Sequence, residues 1–260
     1  GKDAVKDHLV VTTSPRIEGA PKSLMHPVAD AYGLTCFSIP LNVGGRFSVF
    51  TPVGLFPAAM LGMDVDGLMA GCASMDARCS VGSLMENPAY LRAAVQYIMD
   101  TKKKKPMTVM MPYADSLRDV ADWFRQLWAE SLGKQFDLEG KEVFAGQTPI
   151  KALGATDQHS QVQLFREGPN DKIFTLLEVA RFDKSLRIPD TLQTVPGLDY
   201  LRNKTMNKLM TAEFRGTMDA LKVSQRPVMT ITLPRVNAHV IGQLLYLFEV
   251  ETAMAGRLYN

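Results

Sequence analysis

Apolar runs of strand length alternate with helix-period segments along the whole of this 260-residue chain, and nothing else in the sequence limits its fold as strongly. Residues 9–12, 35–39, 108–111, 149–154, 172–179 and 228–233 read as strands, each bounded by Gly, Pro or polar residues. Between them, Ser23 caps a short helix that closes near Gly33, and residues 56–72 suit a close-packed helix or two. Asn87 caps and Pro88 opens a helix with Leu91, Ala94, Val95 and Ile98 at helical spacing. Further helices are predicted over residues 116–132, stopped by Gly133, over 198–221 and over 237–259. Strands that alternate with helices predict an α/β chain, a three-layer α-β-α sandwich around a mostly parallel sheet.

Composition narrows the function classes. With 46% hydrophobic and 22% charged residues the chain is globular, and no apolar run reaches the roughly 18 residues of a membrane span. A net charge of +2 gives no reason to expect a nucleic acid or a membrane as partner. Cys36, Cys72 and Cys79 have neither metal-site nor redox spacing, so reduced thiols in a cytoplasmic protein are expected. No signal segment is read at the start, and both ends read as cut from a longer protein.

Ordinary packing does not ask for Asn42-Val43-Gly44-Gly45-Arg46-Phe47-Ser48-Val49-Phe50-Thr51-Pro52-Val53-Gly54. Adjacent glycines permit positive φ and close approach to a ligand, and a guanidinium at once follows that suits a phosphate, a carboxylate or a developing oxyanion. Phe47-Ser48-Val49-Phe50 reads as a short buried strand or a helix entry. For a bare Gly-Gly-Arg, a hairpin turn with a solvated arginine is the plain reading. In the helix over 116–132, Leu117, Val120, Ala121, Phe124, Trp128 and Ser131 share one face, while Gln126 and Glu130 lie four apart on the other, beside Trp123. Solvation alone is the plain reading of that pair. Asp157 reads as the N-cap of a helix that ends at Gly168-Pro169, which puts His159 in its first turn, where the helix dipole disfavours the imidazolium. The lysines at 102–105 invite a phosphate site but read as a solvated turn at a helix C-terminus, where cations meet the helix dipole. His8, His26, His159 and His239 stand at no mutual ligand spacing, so no metal and no cofactor is expected. Glu249 and Glu251, two apart on one helix, do not face each other.

The glycine-arginine stretch with Met60 to Asp66, the segment Gln126-Leu127-Trp128-Ala129-Glu130-Ser131, and Gly154-Ala155-Thr156-Asp157-Gln158-His159-Ser160 together resemble the phosphoglucose isomerase family, in its bacterial branch. The resemblance implies sugar isomerase (SIS-type) domains, with residues 1–80 as the C-terminal part of the first and 81–260 as the second. It implies reversible conversion of glucose 6-phosphate to fructose 6-phosphate through a cis-enediol, without metal. Glu130 then matches the base between C2 and C1, Arg46 the group that stabilises the enediolate, and His159 the histidine that assists ring opening from the neighbouring subunit of a homodimer. Gly45 and Gln126 match substrate-contacting positions. The family's Ser/Thr-rich phosphate loop and its C-terminal lysine match nothing in these residues, so the 260 residues alone are expected to be weakly active or inactive. A regulatory sugar-phosphate-binding module is the alternative reading, since it needs Arg46 and the glycines and has no use for Glu130 or His159. An extracellular signalling role draws no support from the sequence.

Overall fold

A computed structural model describes residues 2–189 and 195–259, and the chain divides into two units, Gly1–Ala70 and Gly71–Asn260. In the first unit, α1 (Lys2–His8) precedes β1 (Val10–Thr13), α2 (Met25–Tyr32) and β2 (Thr35–Ser38), and β1 and β2 pair in parallel with Val10 opposite Thr35. Leu24, not Ser23, holds the capping position of α2, although the Ser23 hydroxyl accepts the Met25 N–H at 3.1 Å from one residue earlier; Gly33 closes the helix at φ 62°, a left-handed position that suits glycine. Helix α1 was not expected from the sequence. After β2 come α3 (Pro52–Met60) and α4 (Val65–Cys79), so residues 56–72 are indeed helical but broken in two. The division between the units falls inside α4, whereas the sequence-based boundary at 80/81 follows that helix's end.

The second unit contains α5 (Pro88–Thr101), for which the local sequence suffices. Asn87 Oδ1 accepts the N–H groups of Ala89 and Tyr90 at 3.1 Å, and its amide donates to Cys79 O at 2.7 Å and Val81 O at 2.9 Å. Next are β3 (Met107–Pro112), α6 (Arg118–Leu132), β4 (Lys134–Phe136), β5 (Glu142–Ala145), β6 (Thr148–Lys151) and α7 (Thr156–Glu167). The chain continues through β7 (Lys172–Val179), α8 (Met206–Val223), β8 (Val228–Leu233) and α9 (Ala238–Leu258), the last capped by Asn237 on the Val240 N–H at 2.9 Å.

The strands β6-β3-β7-β8 form a parallel sheet, because each return passes through a helix. Period-two alternation sends Val109, Met111, Phe174 and Leu176 against Phe165 of α7 and Phe214 and Leu221 of α8. The other face meets α5, α6 and α9, where Phe124 packs on Phe248 at 5.0 Å and Gln96 donates to Thr108 at 2.9 Å. Helices on both faces of a parallel sheet make the expected three-layer α/β architecture.

Two local expectations fail. Residues 134–145, where the sequence predicts no strand, form the antiparallel β4–β5 hairpin, turned at Gly140 with φ 80°. The helix predicted from 198 starts only at Met206, because Thr205 takes the capping position and accepts the Lys208 N–H at 3.2 Å.

Candidate functional site

The first unit holds the glycine-arginine loop, which follows the carboxyl end of β2. Gly45–Phe47 is a single 3₁₀ turn, and the half-buried Arg46 has its guanidinium carbon 5.6 Å from the centre of the Phe47 ring. The turn is tied from below: Ser48 donates to Gly45 O at 2.6 Å and Thr51 donates to Ser48 O at 2.7 Å. Thr51 then accepts the Val53 N–H at 3.3 Å, and with Pro52 at the first position it starts α3. Of the two readings of Phe47-Ser48-Val49-Phe50, helix entry is the observed one.

Positive φ is not the reason for the glycines. Neither Gly44 nor Gly45 has it, and a Cβ at either would meet nothing within 4 Å. The glycine that packing demands is Gly54, whose Cβ would lie 2.2 Å from Val49 O. Gly45 therefore presents an open backbone flank beside Arg46.

In the second unit, α6 buries Ala121, Phe124, Leu127, Trp128 and Leu132 and turns Gln126 and Glu130 outward. Both are exposed, and the Gln126 amide donates to Glu130 Oε2 at 3.2 Å. Asp122 continues the stripe one turn earlier, with Lys151 Nζ at 3.0 Å and Arg125 at 2.5 Å. The Lys151 hydrogen bond holds the Asp122 carboxyl below the usual carboxylate range.

The third block opens α7. Thr156 is the first helical residue and Ala155 the cap, so Asp157 is not the N-cap that the sequence suggested. Its carboxylate turns back instead, accepting the Leu153 N–H at 2.8 Å and the Ser160 hydroxyl at 2.9 Å. Gln158 points inward and donates to Tyr113 Oη at 2.9 Å and to Glu213 O at 3.2 Å. His159, next along the turn, is exposed.

The sheet decides which of these residues meet. Asp122 pairs with Lys151 at the end of β6, whereas a Cβ on Gly146, just before β6, would be 2.9 Å from Leu132 O. Helix α6 therefore runs opposite to β6, and Glu130 lies toward the amino edge of the sheet. His159 follows the carboxyl end of β6. Gln126 and Glu130 are brought together, and His159 stands at the other edge of the same sheet. Arg46 and Gly45 belong to the first unit.

The remaining titratable groups take other positions. His26 Nε2 lies 3.0 Å from Ser14 O, and Lys105 Nζ donates to Asn170 Oδ1 at 2.8 Å. Glu251 is buried against Arg92, and burial raises the Glu249 carboxyl to about 8. Among the described residues no group of His, Cys, Asp or Glu could hold a metal ion, and no helix is long and apolar enough to cross a membrane. A largely apolar groove of about 750 Å³ beside β8, lined by residues such as Met75, Leu91, Ile231 and Leu247, contains none of the predicted site residues. Sequence reading passed over Tyr113 and Arg92, each buried in an apolar context that gives a single sequence little to mark it.

Similarity to known proteins extends over nearly the whole chain. Residues 33–260 match the family model described as phosphoglucose isomerase. The chain is 46% identical over 250 residues to the glucose-6-phosphate isomerase of Carboxydothermus hydrogenoformans, covering 96% of this chain and 53% of that protein. It is 43% identical to the glucose-6-phosphate isomerase of Rubrobacter xylanophilus, covering 96% and 55%. Among solved structures, a hypothetical protein of Thermus thermophilus superposes with a TM-score of 0.88 at 36% identity, over 100% of this chain and 59% of that one. A glucose-6-phosphate isomerase of Chlamydia trachomatis shares the fold, with a TM-score of 0.80 at 20% identity over 98% and 49%. The chain spans about half the length of the curated relatives it matches.

Proposed function

The chain belongs to the phosphoglucose isomerase family, and from that membership we propose that it supplies part of the active site of an enzyme interconverting glucose 6-phosphate and fructose 6-phosphate. The reaction moves one proton between C1 and C2 of the opened sugar and a second between the oxygens on those carbons. Glu130 takes the C2 proton to give a cis-enediol and returns it to C1, while the Arg46 guanidinium balances the charge on the enediolate oxygen. His159 assists ring opening, and Gly45 and Gln126 contact the sugar phosphate. No step calls for a metal or a cofactor. The relatives named as glucose-6-phosphate isomerases support this assignment.

One observation carries the reading: Glu130 sits on the outward stripe of α6, hydrogen-bonded to Gln126 one turn away, where burial does not require a carboxylate. A residue kept for packing would face Trp128 and Phe124. The placement of Glu130 and His159 at opposite edges of one sheet favours a homodimer in which His159 serves the partner's site. In this reading the first unit, with Arg46, is the later part of one sugar isomerase domain, and the second, with Glu130, is another. In this proposal the enzyme works in the cytoplasm with its cysteines reduced, on a sugar phosphate and with neither nucleic acid nor membrane as partner. Since the relatives are about twice as long, the 260 residues by themselves should turn over sugar phosphate weakly or not at all.

Glu130→Gln in the whole protein tests the proposal. The enzyme reading expects kcat to fall by about 100-fold or more with sugar-phosphate binding retained. A regulatory binding module would be indifferent to the change, and unchanged turnover would end the enzyme reading.

A further inference from the structure

Tyr113, directly after β3, takes no part in the proton transfer and yet is tied to the turn that carries His159. The residue is 1% exposed, and its ring packs edge-on against Phe214 of α8 at 5.2 Å. Its hydroxyl accepts the Gln158 amide at 2.9 Å, and the same amide nitrogen reaches Glu213 O on α8 at 3.2 Å. Burial raises the Tyr113 phenol against the pull of hydrogen bonds with Thr217 and Gln158, which keeps it a hydroxyl.

The backbone fits around that ring. A Cβ on Gly154 would come within 2.5 Å of a Tyr113 ring carbon, so glycine is required where β6 passes into α7. From the outer side, Asp157 holds the Leu153 N–H and the Ser160 hydroxyl. The first turn of α7 is thus gripped by Gln158 inside and Asp157 outside. Successive helical side chains point about 100° apart, so fixing Gln158 toward β3 and α8 fixes where His159 can face.

We propose that Tyr113 and Gln158 are positioning residues for His159: together they set the rotation of the first turn of α7 about its axis, and with it the direction of the imidazole. This rests on the reading of His159 as a proton-transfer group, and the test separates the two. Tyr113→Phe keeps the ring, its packing on Phe214 and its contact with Gly154, and removes only the hydroxyl, which Thr217 and Gln158 both engage; Gln158→Met leaves the Thr217 contact in place and isolates the Gln158 one.

Two measurements decide it. In the 260-residue chain, hydrogen exchange at residues 156–160 should quicken about tenfold in Tyr113→Phe while β3 and α8 keep their protection, and Gln158→Met should do the same. Unchanged exchange in both variants overturns the proposal. In the whole protein, Tyr113→Phe should lower kcat about tenfold with KM little changed, and should change kcat less than about twofold once His159 is alanine. An equal loss in both backgrounds overturns the positioning role while leaving His159's own role standing. If His159→Ala turns over substrate normally, the functional reading of His159 fails and the positioning role fails with it, whatever the exchange data show.

Discussion

Arg92 of α5 and Glu251 of α9, 159 positions apart in the sequence, meet across 2.7 Å. Glu251 is fully buried, and Arg92 also reaches Thr175 Oγ1 at 3.4 Å and lies 5.6 Å from the centre of the Phe248 ring. Burial pushes the Glu251 carboxyl up and Arg92 pulls it back. The pair fastens two helices to each other and to the sheet beneath them.

Removing one partner strands the other charge in a dry interior. Arg92→Met should therefore cost about 3–5 kcal/mol in urea denaturation, whereas Arg92→Met with Glu251→Leu should recover most of the loss. A single variant that unfolds at the wild-type midpoint would show the pair to be dispensable.

Geometry at Glu130 should matter as much as charge. Glu130→Asp keeps the carboxylate and withdraws it by one methylene, so kcat in the whole protein should fall by about 10- to 100-fold with little change in KM. Loss of Gln126 should have the opposite signature. Gln126→Leu removes a polar contact proposed for ground state and transition state alike, and steady-state kinetics should record it chiefly as a raised KM.

Glu249 makes stability depend on pH. Its Oε1 is buried with no hydrogen-bond partner among the described residues, and burial lifts its carboxyl from the ordinary 4.5 to about 8. Because the folded value lies above the unfolded one, the folded state holds a proton that the unfolded state has already released. Stability should fall as pH rises from about 4.5 and level off above about 8. Glu249→Gln should flatten this part of the curve, as thermal unfolding at several pH values would reveal; an unaltered slope would assign the dependence elsewhere.

Gly71 permits a close crossing. A Cβ there would lie 1.9 Å from His239 O at the start of α9. That atom is backbone and has little room to yield, so Gly71→Ala should destabilise by about 1–3 kcal/mol. Differential scanning calorimetry should show a lowered Tm, in contrast to Gly216→Ala, where an added Cβ meets nothing within 4 Å.

Much of this was legible without coordinates, where the signal is local. Strand β7 and strand β8 begin and end where the apolar runs do, and Asn87-Pro88 and Asn237 open α5 and α9 as their side chains require. The four-residue spacing of Gln126 and Glu130 places them on one stripe of any helix, and the place of His159 in a first turn survives the loss of Asp157 as its cap. Hairpin β4–β5 escaped notice because its strands are short and mostly exposed, with no buried face to impose a period. Likewise, nothing near Gly44, Gly45 or Gly54 in the sequence says which of them backs onto a carbonyl.

Helical and strand periods are written within a few residues, because backbone hydrogen bonds and side-chain direction repeat over that distance. Sequence alone therefore settled most element types and the residues that α6 turns outward. That Arg92 would find Glu251, that Tyr113 would hold Gln158, and that Glu130 and His159 would stand at opposite edges of one sheet depend on strand order and on the direction α6 takes across β6. Those are contacts between distant segments, and they acquire an energy only once the chain has closed around them.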